Sequence, residues 1–220
     1  MVTTRYAAAL DLGPAAAYSA LAVVEVAWAN SDDPGTLTVG HLHRFPPGTP
    51  YARIAADTAG VLADVRLADA PLVLDRTAVG AGVVPLFREP DRDRTLVSVV
   101  ISAGHRAECG TDDVWRVPKA DLVTALQLAL QGRRLVVPAA LPDAELLARE
   151  LVAFRAKPAT ADPAAVDWRE GRDDDLVLAV ALAVWQAGRL DRGDPGGPFV
   201  TGRRHDPLGR LHLPGRARPW

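Results

Sequence analysis

The chain of 220 residues is 49% hydrophobic and 24% charged, which predicts one domain with a sizeable core. It contains no run of about 20 apolar residues and no signal-peptide pattern at its start, so we expect a cytoplasmic protein without a membrane anchor. The single cysteine, Cys109, excludes an internal disulfide framework and a cysteine-based zinc cluster. The net charge of −2 conceals a basic C-terminal segment, which limits any nucleic-acid attraction to a local surface.

The first half of the chain predicts three antiparallel strands followed by a helix and a short buried strand. Apolar residues 5–10 and 18–28 flank a break at Gly13-Pro14 and form a predicted hairpin. Residues 37–45 predict the third strand, with alternating side chains. In that alternation one face carries Leu37, Val39, His41 and His43, and the other carries Thr38, Gly40 and Leu42. Helical spacing over residues 51–66 then leads into an apolar strand that ends at Asp75.

The second half of the chain predicts another central strand and three helices. The strand is the β-branched run at residues 95–102, and Pro118 suits the first position of the next helix. Further helices follow Pro142 and Asp174. The predicted fold is therefore an α/β domain over residues 1–187, with a mixed sheet flanked by helices. Residues 188–220 are rich in Gly, Pro and Arg and predict a solvated tail.

Acidic residues stand where these predicted elements end or begin. Asp11 and Asp75 each close a strand, and the Asp173-Asp174-Asp175 triplet opens a buried helix. Carboxylates that converge in this way suit Mg²⁺ or Mn²⁺, because hard divalent ions prefer oxygen ligands. Each acid also has a structural alternative, since Asp caps turns and helix N-termini.

Several short motifs occur along the chain in a characteristic order. They are AALDLG (8–13), ALAVVE (20–25), FPPGTPY (45–51), LVLD (72–75), VGAGV (79–83), VPKADLV (117–123), GRRL (132–135), LLARELVAF (146–154) and DDLVLA (174–179). No single motif is specific, but their order over residues 7–186 resembles the C-terminal nuclease domain of phage terminase large subunits.

This resemblance implies a ribonuclease H-like fold and an endonuclease that cuts double-stranded DNA with two Mg²⁺ or Mn²⁺ ions. It places Asp11, Asp75 and Asp175 on the family's acidic positions, with Asp174 as the adjacent metal ligand. It also implies that Lys119, in the VPK motif, contacts the scissile phosphate or orients the attacking water. The alternative for Lys119 is a solvent-directed lysine at a helix start.

The chain departs from the family pattern in three respects. Ala17 stands where many members have a further acid, and Arg172 and Asp173 stand where a histidine often precedes the paired aspartates. The chain also lacks the Walker A loop of the packaging ATPase. We therefore expect a self-contained nuclease for phage DNA packaging, whose partners would be a separate ATPase or portal protein.

Other readings of the sequence remain open. The departures at Ala17 and Arg172 favour a weak or inactive nuclease-like domain that binds DNA or a packaging partner. Asp11-Leu12-Gly13 also fits a sugar-kinase or actin-like ATPase, although that architecture needs about twice this length. A Holliday-junction resolvase of the same superfamily would share the chemistry. In the tail, Arg203 and Arg204 could bind phosphate.

Overall fold

A computed structural model describes residues 2–30, 32–156 and 174–190, and gives no side-chain description for residues 155 and 156. Two short 3₁₀ turns, Val65–Leu67 and Ala81–Val83, accompany the regular elements. The strands are β1 (Thr3–Asp11), β2 (Ser19–Trp28), β3 (Thr36–Phe45), β4 (Leu72–Asp75), β5 (Leu96–Ser102), β6 (Glu108–Cys109), β7 (Val114–Pro118) and β8 (Leu135–Val136). The helices are α1 (Tyr51–Leu62), α2 (Val84–Arg88), α3 (Lys119–Gln131), α4 (Ala144–Ala156) and α5 (Asp175–Ala187).

The strands form one mixed sheet in the order β6-β7-β5-β4-β1-β2-β3-β8. The first three strands are antiparallel neighbours, whereas β4 is parallel to β1, and β5 and β7 continue in parallel. The predicted mixed α/β sheet with flanking helices is therefore confirmed. The chain passes from β3 to β4, the parallel neighbour of β1, through a crossover connection that contains α1.

Each face of the sheet has its own hydrophobic core. On one face α3 and α5 cover alternate residues of the central strands, including Ala7 and Ala9 of β1 and Val73 of β4. On the other face α1 covers the intervening residues, such as Ala8, Leu10 and Leu74. Helix α5 is almost entirely buried, as its apolar sequence predicts. The small alanines of β1 let α5 pack close to the centre of the sheet.

An irregularity in β3 overturns the simple alternation predicted for that strand. Val23 of β2 pairs with His41, but the next residue, Val24, pairs with Val39. Gly40 is therefore an extra residue, and such a bulge reverses the faces of everything that follows it. Leu42 consequently joins the α5 core instead of facing away from it. Arg44, two residues further on, lies on the same face as Leu42.

The second half of the chain differs from its predicted elements in detail. Val114–Pro118 is a strand, so Pro118 ends β7 instead of beginning the helix, and α3 starts at Lys119. The short elements β6, β8 and α2 were not predicted, because two to five residues carry too little periodicity. No helix among the described residues has the length and apolarity needed to cross a membrane.

Candidate functional site

Asp11 and Asp75 stand side by side at the carboxyl end of two adjacent parallel strands. They are register partners, each the last residue of its strand, and both are buried. Paired residues on neighbouring strands direct their side chains to the same face of the sheet. That face is the one covered by α3 and α5, because Asp11 alternates with Ala7 and Ala9.

Thr77 fixes the orientation of the Asp75 carboxylate. Asp75 Oδ1 accepts a hydrogen bond from the Thr77 backbone N–H at 2.9 Å and another from the Thr77 hydroxyl. The same hydroxyl oxygen accepts the Ile101 N–H at 2.7 Å, so its own proton is directed to Asp75. One oxygen of Asp75 is thus tied to the neighbouring strand β5.

The turn after Asp11 is held by close backbone contacts. A side chain at Gly13 would collide with the Tyr18 carbonyl oxygen, since a Cβ there would lie only 2.0 Å away. The Gly13 N–H donates to Ser19 Oγ at 3.1 Å, and the Gly13 carbonyl accepts the Tyr51 hydroxyl at 3.0 Å. Tyr51, the first residue of α1, therefore anchors the turn next to Asp11.

Asp174 and Asp175 lie at the start of α5, but neither is seen capping that helix. Asp174 occupies the N-cap position without a side-chain cap hydrogen bond. The capping group is instead Glu150 of α4, whose Oε2 accepts the N–H groups of Leu176 and Val177 at 3.1 and 3.2 Å. The helix-capping explanation for the two aspartates is thus weakened, because the carboxylate of Glu150 caps the helix.

Arg44 of β3 forms a buried ion pair with Asp175. Its Nη2 and Nε lie 2.7 and 3.1 Å from Asp175 Oδ2, and the side chains are only 10% and 13% exposed. The guanidinium carbon sits 3.6 Å from the centroid of the Tyr18 ring. The Arg44 backbone N–H donates to Asp143 Oδ2 at 3.0 Å. These contacts hold the cation firmly beside α5.

Lys119 also reaches this group of residues. Pro118 ends β7 and Lys119 begins α3, which places the lysine at the same edge of the sheet as the strand-end acids. Its Nζ lies 3.6 Å from Asp174 Oδ2 and 5.8 Å from the centroid of the Phe154 ring. The side chain is 28% exposed, so it is neither fully buried nor freely solvated.

The pKa values of Asp11, Asp75 and Asp175 are raised, chiefly by burial. Burial raises the pKa of Asp11 well above its ordinary value, and the neighbouring charges of Asp75 and Asp175 raise it further. The pKa of Asp75 is raised by burial, against the lowering effect of its hydrogen bonds from Thr77. Burial also raises the pKa of Asp175, opposed by Arg44. The cluster therefore favours a bound cation when all its carboxylates are ionised.

Burial raises the pKa of Glu150 more clearly, to about 7. Its hydrogen bonds from the α5 backbone and the charge of Arg44 act in the opposite direction. Glu150 Oε1 is buried without a hydrogen-bond partner among the described residues, which agrees with a proton residing there near neutral pH.

The pair Asp11 and Asp75 suits a divalent ion better than the full set of predicted metal ligands does. That full set also includes Asp174 and Asp175. Within residues 2–30, 32–156 and 174–190, no three His, Cys, Asp or Glu side chains form a ready set of metal ligands. Asp175 is engaged by Arg44, whose guanidinium bonds its Oδ2. In the described part of the chain, the salt bridges at this site join Asp175 to Arg44 and Asp174 to Lys119.

The structure thus brings Asp11, Asp75, Asp174, Asp175 and Lys119 to one edge of the sheet. The other predicted site residues lie outside the described residues: Asp173, Arg172, Arg203 and Arg204.

Sequence reasoning missed Arg44, Thr77 and Glu150. The signal for Glu150 was an acid on the buried face of the amphipathic helix α4. The signal for Arg44 was hidden by the bulge at Gly40.

The comparisons with known proteins found no relative of this chain. No protein-family model matches the sequence, and no match was found among curated proteins or solved structures.

Proposed function

We propose that this protein is a metal-dependent endonuclease with a ribonuclease H-like fold that hydrolyses DNA phosphodiester bonds. The observation that carries the proposal is the register pairing of Asp11 and Asp75, two buried carboxylates on adjacent strands. Two like charges are not buried side by side for stability, because each raises the cost of ionising the other. A divalent cation bound by both carboxylates would offset the repulsion between them.

The sheet order supports the fold part of the proposal. Three antiparallel strands, β1 to β3, are followed by β4 and β5 in parallel on the other side of β1. This is the mixed arrangement that the resemblance to the terminase nuclease domain implies. The β7 strand extends it by one parallel neighbour beyond β5.

The spatial convergence of the sequence motifs that resemble the terminase nuclease family supports the activity. The FPPGTPY motif contributes Tyr51, which is hydrogen-bonded to the turn after Asp11. The VPK motif contributes Lys119, which lies beside Asp174 of the DDLVLA motif. The LLARELVAF motif contributes Glu150, which caps the helix of Asp175. Motifs that are far apart in the chain therefore meet at one edge of the sheet.

The residues of this edge have distinct parts in the proposed hydrolysis. Asp11 and Asp75 would hold a Mg²⁺ or Mn²⁺ ion, which supplies positive charge for the phosphate oxygens and acidity for a bound water. Thr77 keeps Asp75 turned toward Asp11. Lys119 is positioned to bind a phosphate oxygen. A water oxygen would bond to phosphorus while one P–O ester bond breaks, and the proton that the water loses would reach the leaving oxygen.

The proposed substrate is double-stranded DNA, and the proposed setting is phage or prophage DNA packaging. Both rest on the sequence resemblance. The proposed partner that delivers the DNA is a packaging ATPase or a portal protein.

Cleavage of supercoiled plasmid DNA tests the proposal. The full chain is expected to nick and linearise the plasmid with Mn²⁺ or Mg²⁺ and to be inactive with EDTA. Asp11→Asn and Asp75→Asn should abolish cleavage, whereas Asp57→Asn, in an exposed pair with Arg53 on α1, should leave it unchanged. Cleavage that persists in both strand-end variants would exclude this site.

A second function, DNA or partner binding without cleavage, is favoured by one observation. Arg44 already neutralises Asp175, which the two-metal scheme needs as a ligand. An inactive domain would bind DNA equally well with EDTA and with Mn²⁺. Fluorescence anisotropy with labelled duplex DNA, run beside the plasmid assay, separates the two functions.

A further inference from the structure

Four adjacent strands place a row of matched residues across one face of the sheet. Asp75 pairs with Asp11, Asp11 pairs with Ala20, and Ala20 pairs with Arg44. Since neighbouring strands lie about 4.8 Å apart, the backbone of Arg44 stands roughly 10 Å from that of Asp11. Ala20 lies between them and is fully buried in the core beneath α5. The row therefore ends in a cation on the same side as the two acids.

Arg44 is fixed in this position from several directions. Its guanidinium makes two hydrogen bonds to Asp175 Oδ2 and lies over the Tyr18 ring, while its backbone is bound by Asp143. A guanidinium keeps its charge at any physiological pH, so a positive charge permanently adjoins Asp175. A metal ion at Asp175 would have to displace a buried, hydrogen-bonded cation.

The local charges favour one divalent ion. Asp11, Asp75, Asp174 and Asp175 carry four negative charges when ionised, and Arg44 and Lys119 supply two positive charges beside the latter pair. The two charges that remain belong to Asp11 and Asp75, which are adjacent to each other. One divalent ion balances them.

We infer that the site binds a single divalent ion between Asp11 and Asp75, and that Arg44 takes the place of a second ion at Asp175. The inference rests on the proposed metal-dependent cleavage and deepens it. Arg44 then serves as a fixed positive charge beside the phosphate, which it attracts while its Nε and Nη2 stay bonded to Asp175. The class of site is one metal ion plus one arginine.

Counting bound Mn²⁺ tests the inference without any variant. Isothermal titration and electron paramagnetic resonance on the full chain are expected to give one ion with a mononuclear six-line spectrum. Two ions about 4 Å apart would be exchange-coupled and would overturn the inference while leaving the nuclease proposal standing. Absence of Mn²⁺ binding would overturn both.

Variants of Arg44 test whether this residue limits the site to one bound ion. Arg44→Gln should raise the number of bound ions from one to two, because Asp175 is released, whereas Arg44→Lys should keep one ion. Arg53→Gln, which breaks the exposed pair with Asp57, is the matched control and should keep one ion. An Arg44→Gln protein that is folded by circular dichroism and still binds one ion would contradict the role of Arg44.

Discussion

Asp11 and Asp75 are register partners on adjacent parallel strands, and both are buried at the carboxyl ends of those strands. Burial raises the pKa of each of them, and in Asp11 the charge of Asp75 adds to that effect. A pair of this kind lowers the stability of the folded protein at pH values where both groups ionise. The consequences can be measured with and without metal.

Removing the Asp11 charge should stabilise the protein when no metal is present. Asp11→Asn eliminates a buried carboxylate whose ionised form is disfavoured, so in EDTA at neutral pH Tm should rise by roughly 2–4 °C, or about 1 kcal/mol. Differential scanning calorimetry measures this directly. Asp57→Asn, which affects only an exposed pair, should shift Tm little. A Tm that falls in Asp11→Asn would point to a structural role for that carboxylate.

The pH dependence of stability should reverse when metal is added. Asp11, Asp75 and Asp175 all have folded-state pKa values above their ordinary values, so stability present at low pH is lost as pH rises through the folded pKa values. In EDTA, Tm should therefore be higher at about pH 5 than at about pH 8. Mn²⁺ should raise Tm more at the higher pH, because a carboxylate must be ionised to bind it. Equal metal effects at both values would argue against these ligands.

Glu150 should contribute its own pH-dependent stability through α5. Its folded-state pKa of about 7 exceeds the ordinary value of 4.5, so stability is lost as pH rises through this interval, by about 3 kcal/mol. Glu150→Gln keeps an acceptor for the Leu176 and Val177 N–H groups and should flatten this loss. Urea unfolding at several pH values measures it.

The variant Glu150→Ala provides the contrast. It leaves those two N–H groups without their acceptor and creates a small cavity, so at low pH it should destabilise the protein by about 2–4 kcal/mol relative to the parent. This difference should shrink as pH rises, because the parent itself loses stability when Glu150 ionises. Similar unfolding curves for the alanine and glutamine variants would show that the cap contributes little.

Thr77 should act through the orientation of Asp75. Thr77→Val keeps the shape of the side chain but removes the hydroxyl between Ile101 and Asp75, so Mn²⁺ affinity should fall roughly 10-fold. Thr77→Ser retains the hydroxyl and should bind Mn²⁺ like the parent. Isothermal titration gives both affinities, and equal affinities in the two variants would remove Thr77 from the site.

Lys119 should matter for cleavage more than for metal binding. Lys119→Met removes the ammonium near Asp174 while keeping the length of the side chain, and should slow plasmid cleavage roughly 100-fold. Mn²⁺ affinity should change little, because Lys119 adjoins Asp174 and not Asp11. A parallel loss of metal binding would assign Lys119 to the structure of the cluster.

Much of the framework was predictable because it depends on local patterns. The strand-ending positions of Asp11 and Asp75 follow from apolar runs that stop at those residues, and the burial of α5 follows from its nearly uniform apolar composition. The turn at Gly13 also follows from its residues. Short elements such as β6 and β8 were not predictable, since tertiary pairing and not local periodicity makes them strands.

The sequence by itself determined the mixed α/β sheet, its acidic strand ends and the lysine at the start of α3, because residue type and spacing specify strands, helices and their ends. Only the tertiary structure decided which strands became neighbours, and hence that Asp11 meets Asp75. It also decided that Gly40 bulges and places Arg44 on the face of Asp175. Such contacts join residues far apart in the chain, and one extra residue in a strand reverses the face of every side chain beyond it.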